Sequence, residues 1–198
     1  LQIDVDEKTA FQQCKTIRLK STTLNGDVVP ATVTLNCTKL QSPLRTLRSR
    51  LWDKVDTVSI PEAQFRKDFP YDEYKNENDY RQWKEEKQVW SKTVQSGYDE
   101  QVSLPSMKLD PGYYILEAKT KDRYGSEVIE KKYVRLYDAN TVKAISGEHL
   151  LVAKLNTKAK PGEKAQITYA SADEPVHMLY QLERNGKFPV QWLKPGAS

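Results

Sequence analysis

The sequence predicts an all-β chain: an antiparallel β-sandwich with a short helical insertion, followed by a second, partial β domain. Three observations carry this. Apolar residues recur with period two over Val29 to Leu40 and over Leu109 to Asp138, the pattern of half-buried strands. Between them, residues 42–98 lose that rhythm and gain aromatic and helix-start signals. After Asp138 the strand-and-turn grammar restarts, which places a boundary between residues 1–138 and 139–198.

The first element is a short strand in Leu1 to Glu7, where Leu1, Ile3 and Val5 alternate with Gln2, Asp4 and Asp6. Phe11 to Thr22 follows, with Ile17 and Leu19 on one face and Arg18 and Lys20 on the other. Asn25-Gly26 is a turn signal because both residues tolerate positive φ. Val29 to Leu40 then places Val29, Ala31, Val33, Leu35 and Cys37 on one face. A two-residue hairpin at Asn25-Gly26 would set Ile17 opposite Thr34 and Leu19 opposite Thr32. That puts the two apolar sets on opposite faces, which a one-sided core forbids. Either the connection is longer, or it carries a bulge, or the two strands are not neighbours. The same parity puts Cys14 on the face of Arg18 and Lys20, away from Cys37. This argues against a disulfide, which needs converging side chains.

In the insertion, Ser59-Ile60-Pro61-Glu62 reads as a capping box, predicting a helix over Pro61–Lys67 that stops before Pro70. Tyr71 to Trp83 is a polar, aromatic loop or another short helix, and Gln88 to Val94 returns to strand. Val102 and Leu104 mark a further short strand. Leu109 to Asp138 is a hairpin: Pro111-Gly112 starts it, Asp122-Arg123-Tyr124-Gly125 turns it, and Tyr114, Leu116 and Ala118 form the inward set. Beyond the linker Ala139-Asn140-Thr141, strands are predicted at Leu150–Leu155, around Ile167 and Tyr169, and around Met178 and Tyr180. Turns fall at Pro161-Gly162 and Asn185-Gly186. That is short for an independent sandwich of about 100 residues, so the second domain is expected to be truncated.

Charge narrows the function. The 198 residues carry 31 Lys and Arg against 27 Asp and Glu, a net +4, but the two signs are interspersed. This is a solvated surface rather than a phosphate-binding patch, so no nucleic-acid partner is expected. No run of about 18 apolar residues predicts membrane insertion. The chain begins without Met and inside strand-like sequence, the expected start of an excised or processed piece. No cofactor, metal or catalytic centre is predicted. His149 and His177 lack ligand spacing, and His177 alternates with Val176 and Met178, facing solvent. The acidic residues Asp68, Asp72, Glu73, Glu77 and Asp79 lack the ligand pattern of a calcium loop. Cys-x-x-Cys, glycine-rich phosphate-loop and Gly-x-Ser-x-Gly motifs are absent. The candidate partner-binding residues are the aromatic side chains Trp52, Tyr71, Tyr74, Tyr80, Trp83 and Trp90. Such rings anchor sugars or protein partners, or form a private core that pins the insertion.

Two stretches carry a family resemblance: Leu24-Asn-Gly-Asp-Val-Val-Pro-Ala-Thr-Val-Thr-Leu35, and Leu109-Asp-Pro-Gly-Tyr-Tyr-Ile-Leu116 with Asp122-Arg-Tyr-Gly125 after it. With Arg50-Leu51-Trp52, Phe65-Arg-Lys-Asp-Phe-Pro70 and Pro161-Gly162-Glu163, the arrangement resembles bacterial α2-macroglobulin-like proteins of the Bacteroidetes type. The resemblance implies macroglobulin-like, fibronectin III-like sandwiches in a large envelope protein that is periplasmic or anchored at the outer membrane. It further implies protease trapping by that parent, with neighbouring domains of the same chain as the immediate partners. The family's Cys-x-Glu-Gln thioester is not here: Cys14 is followed by Lys15-Thr16-Ile17 and Cys37 by Thr38-Lys39-Leu40. No functional residue carries over, and the chain is expected to be no enzyme.

Overall fold

The computed structural model describes residues 1–5, 8–10, 16–48, 50, 53, 57–97, 100–103, 109–138, 150–154, 160–164, 167–172, 177–183 and 185–193. Four strands come first: β1 (Gln2–Asp4), β2 (Lys8–Ala10), β3 (Thr16–Lys20) and β4 (Ala31–Leu40). The helix α1 (Glu62–Asp68) and a 3₁₀ turn (Tyr80–Gln82) interrupt them. Then come β5 (Glu85–Ser96), β6 (Glu100–Ser103), β7 (Gly112–Lys121) and β8 (Glu127–Tyr137). The last four are β9 (Leu151–Lys154), β10 (Ile167–Ala170), β11 (Met178–Gln181) and β12 (Val190–Leu193). The chain divides into two units: Leu1–Ser42 with Asn76–Asp138, and Pro43–Lys75 with Ala139–Ser198.

The first unit is a sandwich of a three-stranded sheet, β1-β3-β6, and a five-stranded sheet, β2-β8-β7-β4-β5. All pairings are antiparallel except β2 with β8. Alternation decides what lies between the sheets. Ile3, Ile17, Leu19 and Val102 come from the smaller sheet; Val33, Leu35, Cys37, Tyr114, Leu116, Ala118, Val134 and Leu136 come from the larger. Removing each larger side chain from water contributes about 1.5–3 kcal/mol, enough to hold two sheets that neither strand pairing nor propensity would keep together.

The Asn25-Gly26 conflict is resolved by the strands not being neighbours. β3 pairs with β1 and β6, β4 with β5 and β7, and the chain crosses between sheets through residues 21–30. The apolar sets of β3 and β4 can therefore meet across the core. The turn itself forms: Thr23 N donates to Asp27 O (2.8 Å), and Gly26 has φ of 92°. Val29, assigned by alternation to the strand, is exposed and precedes it.

The hairpin β7/β8 has the expected faces, with Tyr114, Leu116 and Ala118 buried. Asp122 Oδ1 accepts from the backbone N–H of Tyr124 and of Ser126, both at 2.8 Å, while Gly125 supplies φ of 86°. At the opposite edge of the sheet, β5 is longer than predicted and its ladder is irregular. Cys37 faces Trp90 and the next pair is Thr38 with Gln88, so Val89 is an extra residue that bends this exposed edge.

In the second unit, α1 runs one residue later than predicted and buries no residue. The capping box does not form. Pro61 stands at the N-cap with no side-chain acceptor and no N–H for Gln64 at the third helical position to reach, and Ser59 lies too far upstream. The helix instead ties itself along its surface through Arg66 to Glu62 and through Gln64 to Asp68. Two antiparallel hairpins, β9/β10 and β11/β12, complete the described part of this unit. Tyr169 and Tyr180 join them edge to face at 6.3 Å. Among the described residues no helix is long and apolar enough to cross a membrane.

Candidate functional site

The division between the two units runs through the insertion at Lys75 and Asn76, so the described aromatic candidates are divided between the two units. Trp52 lies outside the described residues. Tyr71 and Tyr74 belong to the second unit; Tyr80, Trp83 and Trp90 belong to the first.

Around α1 the aromatic residues act as a small packed group. The Phe65 ring lies 5.2 Å from Phe69 and 5.3 Å from Tyr74, and the Tyr74 hydroxyl donates to Ile60 O at 3.3 Å. Tyr71 is well exposed, although its carbonyl accepts from Arg48 N. The loop after the helix is held by arginines of the segment before it. Arg45 donates to the carbonyls of Pro70 (2.8 Å) and Asp72 (3.0 Å), and Arg50 to those of Glu73 and Lys75. Arg48 grips the Asp72 carboxylate with two nitrogens, and Arg50 pairs with Glu73 at 3.2 Å. The hydrogen bonds from Arg48 hold the Asp72 carboxyl below the usual carboxylate range. The acidic residues here are therefore engaged as loop fasteners. Among the described residues no group of three or more His, Cys, Asp or Glu is placed to hold a metal ion. His177 is exposed, and His149 and Cys14 lie outside the described residues. Cys37 is a buried thiol of the sandwich core.

Trp90 faces Cys37 across β4/β5 and packs against the core, so its ring is structural. Tyr80 and Trp83 behave differently. Asp79 caps the 3₁₀ turn by accepting from Arg81 N, and Trp83 Nε1 donates to Glu77 O at 2.8 Å, which fixes the segment's shape. It lies on the outer face of β7/β8. Tyr80 stacks on Tyr113, with centroids 5.8 Å apart and planes 24° apart, and tilts against Tyr133 at 5.5 Å. Trp83 meets Tyr113 edge-on at 4.8 Å. Two guanidinium groups flank the rings: Arg81 lies 4.7 Å from the centroid of Tyr80 and 6.0 Å from that of Tyr133, and Arg135 lies 5.9 Å from that of Tyr113. Farther along the same face, Glu117 is bound by Lys119 at 2.9 Å and Lys131 at 3.2 Å. Burial by itself would raise the Glu117 carboxyl, but the two ammonium groups outweigh it and hold it low.

Tyr113, Tyr133, Arg81 and Arg135 were not among the sequence candidates. The signal for three of them was parity. Residues alternating with inward Tyr114, and their partners on β8, must face outward, and Tyr113 stands opposite Arg135 just as Ile115 stands opposite Tyr133. Compared with protein-family models, curated proteins and solved structures, the chain matches none.

Proposed function

We propose that the chain is a non-catalytic structural module of an α2-macroglobulin-like envelope protein that traps or inhibits endopeptidases, acting beside neighbouring domains of the same parent chain. The supporting observation is where the resemblance residues sit. Leu24–Leu35 contains the sheet-to-sheet crossing and the start of β4, and Leu109–Leu116 with Asp122–Gly125 opens β7 and closes its turn. Both stretches serve the framework of the sandwich. The test is to incubate the parent protein, with and without residues 1–138, with an endopeptidase. A trap shields the enzyme from large protein substrates while small peptides still reach it. Loss of that size discrimination on deletion is expected; an unchanged parent would sink the proposal, and turnover of hydrolase substrates by the 198-residue chain alone would replace it with an enzyme.

A second reading, an extracellular carbohydrate- or protein-binding module, is favoured by one observation: Tyr80 and Trp83 lie on the outer face of the sandwich beside two arginines rather than in its core.

A further inference from the structure

The turn that carries the chain from β3 to β4 holds a reactive pair. Of the seven asparagines in the sequence, only Asn25 and Asn185 precede a glycine. Residues 21–29 form a narrow antiparallel ribbon. Val29 N donates to Ser21 O at 3.0 Å, Thr22 bridges Val28, Thr23 N donates to Asp27 O at 2.8 Å, and Asp27 N donates to Thr23 Oγ1 at 3.1 Å. These bonds close the base and leave Leu24, Asn25 and Gly26 as an exposed tip. Gly26 N donates to Thr23 O at 3.1 Å, a bond toward the long end of the normal range and open to water, so it breaks at little cost. Gly26 has no side chain, and nothing lies within 4 Å of where a Cβ would stand. Its nitrogen is therefore open both to the neighbouring Asn25 amide and to solvent base.

We propose that Asn25 is a self-modification site, converting through a cyclic succinimide to aspartate and isoaspartate. The Gly26 nitrogen gives its proton to solvent base and attacks Asn25 Cγ, a reaction favoured because both groups belong to adjacent residues. The N–Cγ bond forms, the Cγ–Nδ2 bond breaks, and Nδ2 leaves as ammonia after taking up a proton. Water then adds to either carbonyl carbon of the five-membered ring and reopens it, with no oxidation or reduction. Addition at Cγ gives aspartate. Addition at the main-chain carbonyl gives isoaspartate, whose backbone runs through Cβ and is longer by one methylene. Both products place a carboxylate two residues from Asp27. The longer backbone also misfits a tip whose base is bonded on both sides. That ribbon carries Val29 O, the acceptor for the buried Ser21 hydroxyl, so conversion loosens the crossing between the two sheets.

The test is peptide mapping of the 198-residue chain aged at mildly alkaline pH, folded and in denaturant, beside Asn25→Gln and Asn25→Asp. The folded natural chain is expected to gain the amide-to-acid mass change at residue 25, faster as pH rises, with isoaspartate detected by enzymatic methylation. Conversion there should fall about tenfold or more in Asn25→Gln, whose longer side chain must close a six-membered ring. The aged natural chain should melt about 2–4 °C lower, and lower than fresh Asn25→Asp, which has the charge without the longer backbone. Asn25→Gln aged in parallel keeps Asn185 and should hold its melting temperature, which separates the two sites. Conversion in denaturant but not in the folded chain overturns the proposal, because the turn then protects Asn25. Conversion in neither overturns the chemistry itself. Equal melting of the aged chain and Asn25→Asp overturns the role of the longer backbone.

Discussion

The hydroxyls of Ser21 and Ser96 lie 2.7 Å apart, both buried, one just past β3 of the smaller sheet and the other at the end of β5 in the larger. Each also reaches a backbone carbonyl: Ser21 Oγ donates to Val29 O at 2.6 Å, and Ser96 Oγ lies 3.1 Å from Ala31 O. With the Ser21 proton on Val29, Ser21 Oγ is the acceptor for Ser96. The carbonyls belong to the segment that crosses between the sheets and to the first residue of β4, so the pair seals this end of the sandwich.

Removing either hydroxyl deletes the serine–serine hydrogen bond and one bond to a backbone carbonyl in a buried site, which costs about 1–3 kcal/mol. Ser21→Ala and Ser96→Ala are each expected to destabilise the chain by that order. Because they share one hydrogen bond, the double variant should cost less than the sum by about 0.5 kcal/mol or more. Denaturant unfolding of the four proteins measures this, and strict additivity would show that the two serines act separately.

Leu24 and Leu35 are the same residue type eleven positions apart in the stretch that carries the resemblance, and they should behave as opposites. Leu35 has no exposed surface and sits between the sheets, whereas Leu24 is fully exposed at the crossing turn. Leu35→Ala should cost about 2–5 kcal/mol through lost burial and an unfilled cavity. Leu24→Ala should stay within about 0.5 kcal/mol of the natural protein. Comparable losses at both positions would mean that the described core is not the one that holds the sheets.

These two leucines also show what was legible in the sequence. Alternation placed Ile17, Leu19, Val33 and Leu35 inward, and the structure buries all four. It could not say which sheet each strand joins; the face conflict at Asn25-Gly26 raised the question and only the tertiary fold answers it. The candidate site was less readable. Its rings come from two places, Tyr80 and Trp83 in the insertion and Tyr113 and Tyr133 in the hairpin, so composition alone pointed to half of it. The capping box failed because Pro61 took the N-cap position, a shift of the helix start that the local pattern does not determine.

Tyr114 makes the sandwich sensitive to alkali. Burial pushes its phenol well above the ordinary tyrosine value, and its hydroxyl donates to Asp110 O at 2.7 Å. A folded-state pKa raised above the unfolded one leaves its stabilisation intact below about pH 10. That stabilisation is lost as pH rises from there toward the folded value. The expected outcome is a falling melting temperature above about pH 10, with one tyrosine ionising only on unfolding when absorbance near 295 nm is followed. Tyr114→Phe should flatten the alkaline fall while costing about 1 kcal/mol at neutral pH for the lost hydrogen bond. A fall of equal steepness in Tyr114→Phe would move the cause to another group.

Asp72 makes an acid-sensitive contact in the second unit. Its carboxyl is depressed first by the hydrogen bonds from Arg48 and then by the charge of Arg48, Arg50 and Arg45, against the opposing effect of burial. A depressed folded-state pKa gives stabilisation that is present above the unfolded carboxylate value, about pH 4, and lost as pH falls through the folded one. The Asp72 carboxyl followed by NMR should therefore titrate below an ordinary aspartate. Arg48→Met should move the midpoint up toward the ordinary range, because it removes the largest cause while Arg45 and Arg50 remain. Arg48→Lys should give an intermediate midpoint, since an ammonium keeps the charge but cannot present two donors in a fixed fork. If Arg48→Met leaves the midpoint in place, the loop is fastened by Arg45 and Arg50 through its carbonyls, and the Arg48 pair is a surface contact without consequence.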